Sequence, residues 1–170
     1  MVCATTLLVS FILTKSTVVA YKPTGKYCPQ SCEITLDYVS FNDTDAGLSK
    51  KIRHCRSDKH ITSVYICLNT YCQSYNADIA QWLDEQDTWC YQHDKQHLPD
   101  YHDVIGSWSP EQIAQIRRFD YTESQSWPVF DTVVLPNDSL FERTFSTLSM
   151  NIRSKGRLAY ANKCYRRRVL

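Results

Sequence analysis

The sequence has little glycine, which restricts the kinds of site it can form. Only four glycines occur in 170 residues, at Gly25, Gly47, Gly106 and Gly156. Loops that cradle phosphates need clustered glycines to bring backbone N–H groups against the ligand, so a nucleotide site of that kind is excluded. The chain also lacks a nucleophile elbow, a metalloprotease motif and a carboxylate pair marked by its context, and we therefore predict no catalytic residue.

Hydrophobic runs long enough to span a membrane are also lacking. The apolar run Val2–Leu13 is shorter than the roughly 20 residues that a spanning helix needs. Small residues follow it, with Val18 and Ala20 in the pattern of a cleavable signal. A membrane anchor is the alternative, and the start of the chain carries no positive charge. We expect residues 1–20 to be a signal peptide and the mature chain to begin at Tyr21.

Paired C-x2-C spacings, which are typical of zinc clusters, do not occur, although cysteine itself is frequent. Six of the eight cysteines fall within one stretch of the expected mature chain. An even number in a secreted chain indicates three disulfides, with a thiolate metal site as the alternative. The six are Cys28, Cys32, Cys55, Cys67, Cys72 and Cys90. Cys164 stands alone near the end and has no obvious partner.

The connectivity of these cysteines is only partly constrained by their spacing. Cys28 and Cys32 are four apart and would share one face of a helix, so each should bridge to another segment. Cys67 and Cys72 are likewise expected to pair with distant cysteines, and we expect Cys90 to join one of these two. Six cysteines allow fifteen pairings, so the map stays open at this point.

Two sequons agree with an exoplasmic location. Asn42-Asp43-Thr44 and Asn137-Asp138-Ser139 lie in polar, turn-like contexts where a glycan would meet solvent. We therefore expect Asn42 and Asn137 to be glycosylated, and the protein to be secreted or to lie at the cell surface.

Charge is divided unevenly along the chain, although the formal net charge is only +1. All 18 acidic residues lie between Glu33 and Glu142, whereas seven basic residues and no acidic one follow from Asn151 onward. The acidic body argues against nucleic acid as a partner. We expect a cysteine-rich helical domain over 21–148, and a basic tail over 149–170 that is disordered or aberrant.

Hydrophobic spacing predicts a mainly α fold. Helices are expected over 30–41 and 62–72, although the spacing in 62–72 fits a strand nearly as well. A further helix is expected after Ser109, which forms a capping-box pattern with Pro110 and Gln112. Residues 42–47 are predicted to form a loop. The β-branched segment 128–136 is bounded by proline and should run extended. The expected fold is a small disulfide-stabilised helical domain with an extended C-terminal segment.

The clearest helix is predicted over 76–92, with Asn76 or Asp78 as its cap. Its apolar positions follow the helical repeat and are Ile79, Trp82, Leu83, Gln86 and Cys90. Its opposite face carries Asp84, Glu85 and Asp87, which we interpret as a solvated surface. The four tryptophans, Trp82, Trp89, Trp108 and Trp127, are interpreted as core, with a carbohydrate-stacking surface as the alternative.

Histidines give the only candidate for a metal site. His93, His97 and His102 are spaced by four and five residues, and imidazoles so placed could bind copper or iron. However, Leu98-Pro99 would break the helix that aligns the first pair, so these three residues are weak candidates.

Several motifs follow one another in an order that resembles a known family. The order is C-x3-C at Cys28, Phe41-Asn-Asp43, Cys55, Tyr65-Ile-Cys67 with Tyr71-Cys72, then Trp82, Cys90 and Leu98-Pro-Asp-Tyr101. Together with Thr132-Val-Val-Leu-Pro136 and Phe141-Glu-Arg-Thr-Phe145, it resembles the extracellular N-terminal region of fungal ferric-chelate reductases. The resemblance covers roughly Cys28 to Leu148.

That resemblance implies an accessory role and no catalysis within this chain. The family reduces extracellular ferric and cupric chelates with NADPH, through a flavin and two haems held by histidines on membrane helices. None of those parts is found in this sequence, so no haem, FAD or NADPH site is expected and no catalytic residue can be transferred. Chelated iron or copper is the partner that the resemblance implies, with membrane contact only through a C-terminal part that this chain would have lost near Met150. A free-standing secreted binding module for metal or haem, or a structural surface domain, is the alternative.

Overall fold

The protein is described by a computed structural model that covers residues 27–75 and 79–150. The expected signal peptide, the tail from 151 onward, and the predicted helix caps Asn76 and Asp78 lie outside the described residues. The helices are α1 (Cys28–Leu36), α2 (Lys50–Arg56), α3 (Asp58–Cys67), α4 (Ile79–Asp94), α5 (Tyr101–Gly106), α6 (Pro110–Gln115), α7 (Tyr121–Ser124) and α8 (138–150). The strands are β1 (Ser40–Phe41), β2 (Arg117–Phe119), β3 (Val129–Phe130) and β4 (Val134–Pro136). The mainly α fold is thereby confirmed.

Two disulfides join α1 to α3 and its continuation and form the centre of the core. Cys28 bonds to Cys72 and Cys32 bonds to Cys67, and all four residues are fully buried. Around them pack Leu36 of α1 and several apolar side chains from later in the chain. These are Ile66, Leu68, Phe119, Val134, Leu135, Leu140 and Phe141.

A single π-helical turn makes this double bridge possible. The two cysteines of α1 are four residues apart and so lie one above the other, but their partners are five apart. In an α-helix, residues five apart point about 140° away from each other. Residues Leu68–Cys72 instead form a π-helical turn, in which the hydrogen bonds run from i to i+5. This turn brings Cys67 and Cys72 to the same face, towards α1.

The third disulfide corrects our prediction for Cys90, which bonds to Cys55 and to neither Cys67 nor Cys72. The expectation was wrong because the α1 cysteines already occupy both partners on the α3 segment. Cys55 lies in α2, so this bond fixes α4 to α2. The cysteines that we assigned to disulfides are thus all paired, in three bonds.

The first helix is shorter than predicted. It ends at Leu36, and Ser40–Phe41 forms a strand in place of the last helical turn expected up to residue 41. Backbone bonds explain the change, because the N–H of Ser40 donates to the Pro128 carbonyl and that of Asn42 donates to the Phe130 carbonyl. The extended segment predicted over 128–136 therefore supplies a strand partner that local spacing cannot reveal.

The extended segment is confirmed and pairs twice, each time in parallel. Strand β3 pairs with β1, and β4 pairs with β2. The second pair is anchored on α3, because the N–H of Val134 donates to the buried Ser63 hydroxyl over 3.1 Å. Helix α8 follows at once, so the C-terminal segment closes over the core formed by the disulfides.

Several helix starts follow the capping rules. Ser109 and Gln112 form the predicted capping box, with Pro110 at the first helical position. The helix predicted over 62–72 begins earlier, at Asp58, because the Ser57 hydroxyl accepts the His60 N–H and acts as its cap.

The four tryptophans are not core residues, which corrects our interpretation. Trp82 and Trp108 are half-buried at the edge of the core, Trp89 is half-buried beside Cys90, and Trp127 is 57% exposed. The buried aromatic side chains are instead Phe and Tyr, with Phe119 and Phe141 among the largest. Within the described residues no helix is both long enough and apolar enough to cross a bilayer.

Candidate ligand cleft

The candidate site is a cleft between α2, α3 and α4, with a cavity volume of about 50 Å³. Its apolar wall consists of Ile61, Val64, Tyr65, Trp82, Trp89 and Leu98. Its polar groups are Glu33, Lys51, His54, His60 and Gln86, and the Cys55–Cys90 disulfide lines it too. A mostly apolar cleft with a few convergent polar groups is the usual form of a small-molecule site.

The cleft exists because α4 is held mainly at its C-terminal end. Cys90 is its one buried residue among those described. Beside that disulfide, Arg56 binds the carboxylate of Asp94, with 2.7 Å between Nε and Oδ2. Nearer its N-terminus, Ile79 and Trp82 pack against the core but are only half-buried, and so is Trp89 beside Cys90. These side chains do not fill the gap completely, so space remains between α4 and α3.

Two stacked histidines form the polar side of the cleft. The rings of His54, on α2, and His60, on α3, lie face to face with centroids 3.9 Å apart and planes 9° apart. Burial lowers the pKa of His54 to about 4, and the positive charges of Lys50 and Arg53 act in the same direction. Burial also lowers the pKa of His60 well below its usual value. Both rings are therefore uncharged at neutral pH and can stack without repulsion.

One nitrogen of this pair is left without a partner. His60 is only 5% exposed, and its Nδ1 has no hydrogen-bond partner among the described residues. A buried polar atom without a partner costs about 1–3 kcal/mol, and almost all such atoms in native proteins are satisfied. Since His60 lines the cleft, a bound molecule or water there would supply the missing partner.

Glu33 is the acidic group of the cleft, and it is not a typical surface carboxylate. Burial raises its pKa, the nearby Asp37 adds to the rise, and the Trp82 indole N–H donates to it. Lys51 counteracts this shift, and its Nζ lies 4.9 Å from the centre of the Trp89 ring. The cleft thus contains one acid and one base, with no excess of either charge.

The predicted metal candidates are not brought together. Helix α4 ends at Asp94, so His93 and His97 do not lie on successive turns of one helix. His93 stacks on Trp89, and the Nδ1 of His97 lies 2.8 Å from a carboxylate oxygen of Asp87. Among residues 27–75 and 79–150, no three His, Cys, Asp or Glu side chains are close enough to hold a metal ion. His102 is the second residue of α5 and lines a different, open groove.

Asp87 corrects our interpretation of the acidic face of α4. Its carboxylate accepts a hydrogen bond from the Leu98 N–H over 2.6 Å and also contacts the His97 ring. Burial acts to raise the pKa of Asp87, but these two bonds outweigh it and the pKa is lowered. Asp87 is half-buried and fixes the chain after α4, whereas Asp84 and Glu85 are exposed as predicted.

The two sequons differ in structure. Asn42 is exposed in the loop after β1, where its side-chain oxygen accepts from the Lys59 ammonium over 2.6 Å. Asn137 is half-buried, and its side-chain oxygen accepts the Leu140 N–H over 2.9 Å, so it caps α8. Glycan attachment at either asparagine stays a prediction.

Several residues of the motif order described above hold the framework together. The Tyr65 hydroxyl donates to the Pro99 carbonyl and the Tyr71 hydroxyl donates to the Pro136 carbonyl, over 2.9 and 2.8 Å. The Asp43 carboxylate accepts from the Ser57 hydroxyl at the junction of α2 and α3. The motif residues thus make contacts that connect separate segments of this fold. The stacked histidines are not among them.

Sequence reasoning missed His54 and His60, although a signal was present. Had the Ser57 cap been recognised, α3 would have been started at Asp58. His60 would then have fallen on the same stripe as Val64 and Cys67, at helical spacing, and a histidine on an apolar stripe is a candidate for a buried polar group. The partner His54 could not have been found, because the stack depends on how α2 meets α3.

Comparison of the chain with protein-family models, curated proteins and solved structures finds no match in any of the three.

Proposed function

We propose that this chain is a non-catalytic, exoplasmic accessory domain that resembles the N-terminal ectodomain of fungal ferric-chelate reductases. In this role it would help a membrane catalyst to fold, shield it, or present chelated iron or copper to it. The catalyst would be encoded in frame downstream or carried by a separate chain.

The observation that supports this proposal most is the structural use of the motif residues. Three disulfides and the Tyr65 and Tyr71 hydroxyl bonds connect the motif segments of this chain. Disulfides of this kind persist in oxidising compartments, which agrees with the expected signal peptide and sequons. Because these residues maintain architecture, the resemblance supports a shared ectodomain fold and an architectural role.

The first experiment concerns the gene and the isolated chain. Sequencing the transcript beyond residue 170 should reveal membrane helices with paired histidines in frame, or a separate partner that has them. The purified chain should show no haem absorption band and no NADPH-dependent reduction of ferric chelates, because no group that carries electrons from a nicotinamide is expected in it. Turnover by the isolated chain, lost on boiling, would overturn the proposal.

The second experiment separates an accessory role from none. In cells that carry the full reductase, deletion of the segment corresponding to 21–148 should reduce the amount of enzyme at the surface. The rate per surface molecule should change little, since the electron path lies elsewhere. An unchanged surface level together with an unchanged rate would contradict an accessory role.

The cleft favours a second candidate function, a free-standing secreted binding module. The specific observation is that His60, whose buried Nδ1 has no hydrogen-bond partner among the described residues, lines the same cleft as two tryptophans. A transcript that ends after residue 170, together with secretion of the intact chain, would favour this candidate over the accessory domain.

A further inference from the structure

The cleft between α2, α3 and α4 has the chemistry of a binding site for one class of molecule. We propose that it binds a small, uncharged aromatic molecule with one hydrogen-bonding group, such as a phenol, between the tryptophans of α4 and the histidine pair. This goes beyond the proposed accessory function and does not rest on it.

The shape and lining of the cleft argue for an aromatic ring. Trp82 and Trp89 lie two turns apart on one side of α4, and both line the cavity together with Tyr65 of α3. Aromatic side chains bind flat rings through stacked and edge-to-face contacts. Trp82 is half-buried, so part of its surface is free to cover a ligand. Trp89 is already stacked on His93 and covered by the Lys51 ammonium, so it would meet a ligand with its edge.

His60 is the reason to expect a hydrogen-bonding group on the ligand. Its Nδ1 is buried and has no partner among residues 27–75 and 79–150. Its ring is fixed between the stacked His54 and the edge contact with Phe41, whose centroid is 5.9 Å away. A ring held in this way cannot turn to find another partner. A hydroxyl on the ligand can donate to or accept from a neutral imidazole nitrogen.

Filling the cleft with water alone would take several ordered molecules. A cavity volume of about 50 Å³ exceeds the roughly 10–15 Å³ that one water requires, so several waters would be needed. Each ordered water needs two to four polar partners. The polar groups here are few, and Glu33 and Lys51 already interact with Trp82 and Trp89.

The charges of the cleft favour a neutral ligand. An anionic ligand would meet Glu33, and a cationic one would meet Lys51, which already lies over the Trp89 ring. The histidines are uncharged at neutral pH and offer no counter-charge. Burying an ion without a partner costs far more than burying a neutral ring.

The test uses the full chain, produced in an oxidising compartment, and phenol as the probe. Binding is followed by amide chemical shifts and by the imidazole nitrogen resonances of His60. Phenol should shift the cleft residues in a saturable way and bind about fivefold more tightly than toluene, because a hydrogen bond of ordinary strength adds about that factor. Benzoate, anilinium and cyclohexanol should bind more weakly than phenol.

Variants assign the effect to the cleft. His60→Phe keeps the ring stack but removes Nδ1, so phenol should lose its advantage over toluene while toluene binding is retained. Trp82→Leu should weaken both ligands, and the exposed Trp127→Leu should weaken neither. If His60→Phe does not fold, the phenol-to-toluene ratio and the His60 nitrogen shift in the unsubstituted chain decide the question.

Three outcomes would overturn the proposal. The first is that phenol causes no saturable shifts up to its solubility limit. The second is that toluene or cyclohexanol binds as tightly as phenol. The third is that the advantage of phenol over toluene persists in a folded His60→Phe variant. None of them would affect the accessory role, which is tested on the transcript and at the cell surface.

Discussion

The α1–α3 pair and α4 are both fixed by disulfides, yet they are packed very differently. In α1 and α3 the cysteines and their apolar neighbours are fully buried, with Leu36 and Ile66 at 0% exposure. In α4, a helix of 16 residues, Cys90 alone is buried among the residues described. The first pair thus has its disulfides inside the core, whereas α4 packs on the edge of the core through half-buried side chains and is joined to α2 by its disulfide. This difference explains why the cleft lies beside α4.

The largest expected loss of stability comes from removing one disulfide from each region and comparing the two variants. Cys32–Cys67 and Cys55–Cys90 have the same sequence separation of 35, so chain entropy assigns each about 4 kcal/mol. Replacing Cys32 and Cys67 by Ala should cost at least about 1 kcal/mol more, because it also leaves a cavity in the core. Urea unfolding of the two double variants measures the difference.

The same two variants should differ in where the structure loosens. Without Cys55–Cys90, amide exchange should accelerate in α4 and change little in α1 and α3. Equal costs in urea, with acceleration spread over both regions, would contradict the proposed division into a packed and a tethered part.

A second comparison uses one substitution in each region. Leu36→Ala in α1 should cost about 3 kcal/mol, because this side chain is fully buried. Leu83→Ala in α4 should cost about 1 kcal/mol, since its side chain is half-buried. Thermal melting and urea unfolding give both values, and a larger loss for Leu83 would mean that α4 carries more of the core than its burial indicates.

Local rules predicted the parts of the fold that depend on neighbours in sequence. The capping box at Ser109 and the rule that Cys28 and Cys32 must each bridge elsewhere needed only the spacing of a few residues. The π-helical turn at Leu68–Cys72 was not predictable in this way, because its benefit is the alignment of Cys67 and Cys72 with a distant helix. The end of α1 at Leu36 similarly depends on strand β3, which lies some ninety residues later.

The site was harder to predict than the fold for the same physical reason. The metal candidates His93, His97 and His102 were chosen by spacing, whereas the structure pairs His54 with His60 across a helix junction. Tryptophan was assigned to the core by its size, yet at the edge of the core the rings of Trp82 and Trp89 cover a cleft. Which groups converge is decided by long-range packing, which short spacings do not encode.

Acid should destabilise the boundary between the two regions through the histidine stack. The folded pKa of His54, about 4, lies below its usual value of 6.5, so in this interval the unfolded chain binds a proton that the folded chain does not. Falling pH therefore favours unfolding, by up to about 3 kcal/mol for a shift of this size. His60 acts in the same direction.

Two carboxylates oppose this effect within the same interval. Burial raises the pKa of Glu33 and of Asp37 above their usual values of 4.5 and 3.8, so just above those values the folded chain takes up protons that the unfolded chain does not, and falling pH there favours folding. Unfolding free energies should therefore be compared between pH 6.5 and 4.5 in chains that differ only in the histidines, so that the carboxylates contribute equally. Replacing both His54 and His60 by Phe should flatten the slope there, and the exposed His102→Gln should leave it unchanged. A slope that survives the double substitution would assign the acid sensitivity to other groups.

The smallest expected effect tests the bond that joins α3 to the chain following α4. Burial raises the pKa of Tyr65 to about 12, so its hydroxyl stays protonated and donates to the Pro99 carbonyl over 2.9 Å. Tyr65→Phe removes this bond without changing the ring that packs on Tyr101, and should cost about 1 kcal/mol. The exposed Tyr91→Phe is the matched control and should cost almost nothing. Because Pro99 follows the Asp87–Leu98 bond directly, amide exchange in the Tyr65→Phe variant should accelerate at residues 98–101 before it accelerates in α1. Acceleration in α1 first would mean that this hydroxyl stabilises the disulfide core and contributes little to the attachment of α4.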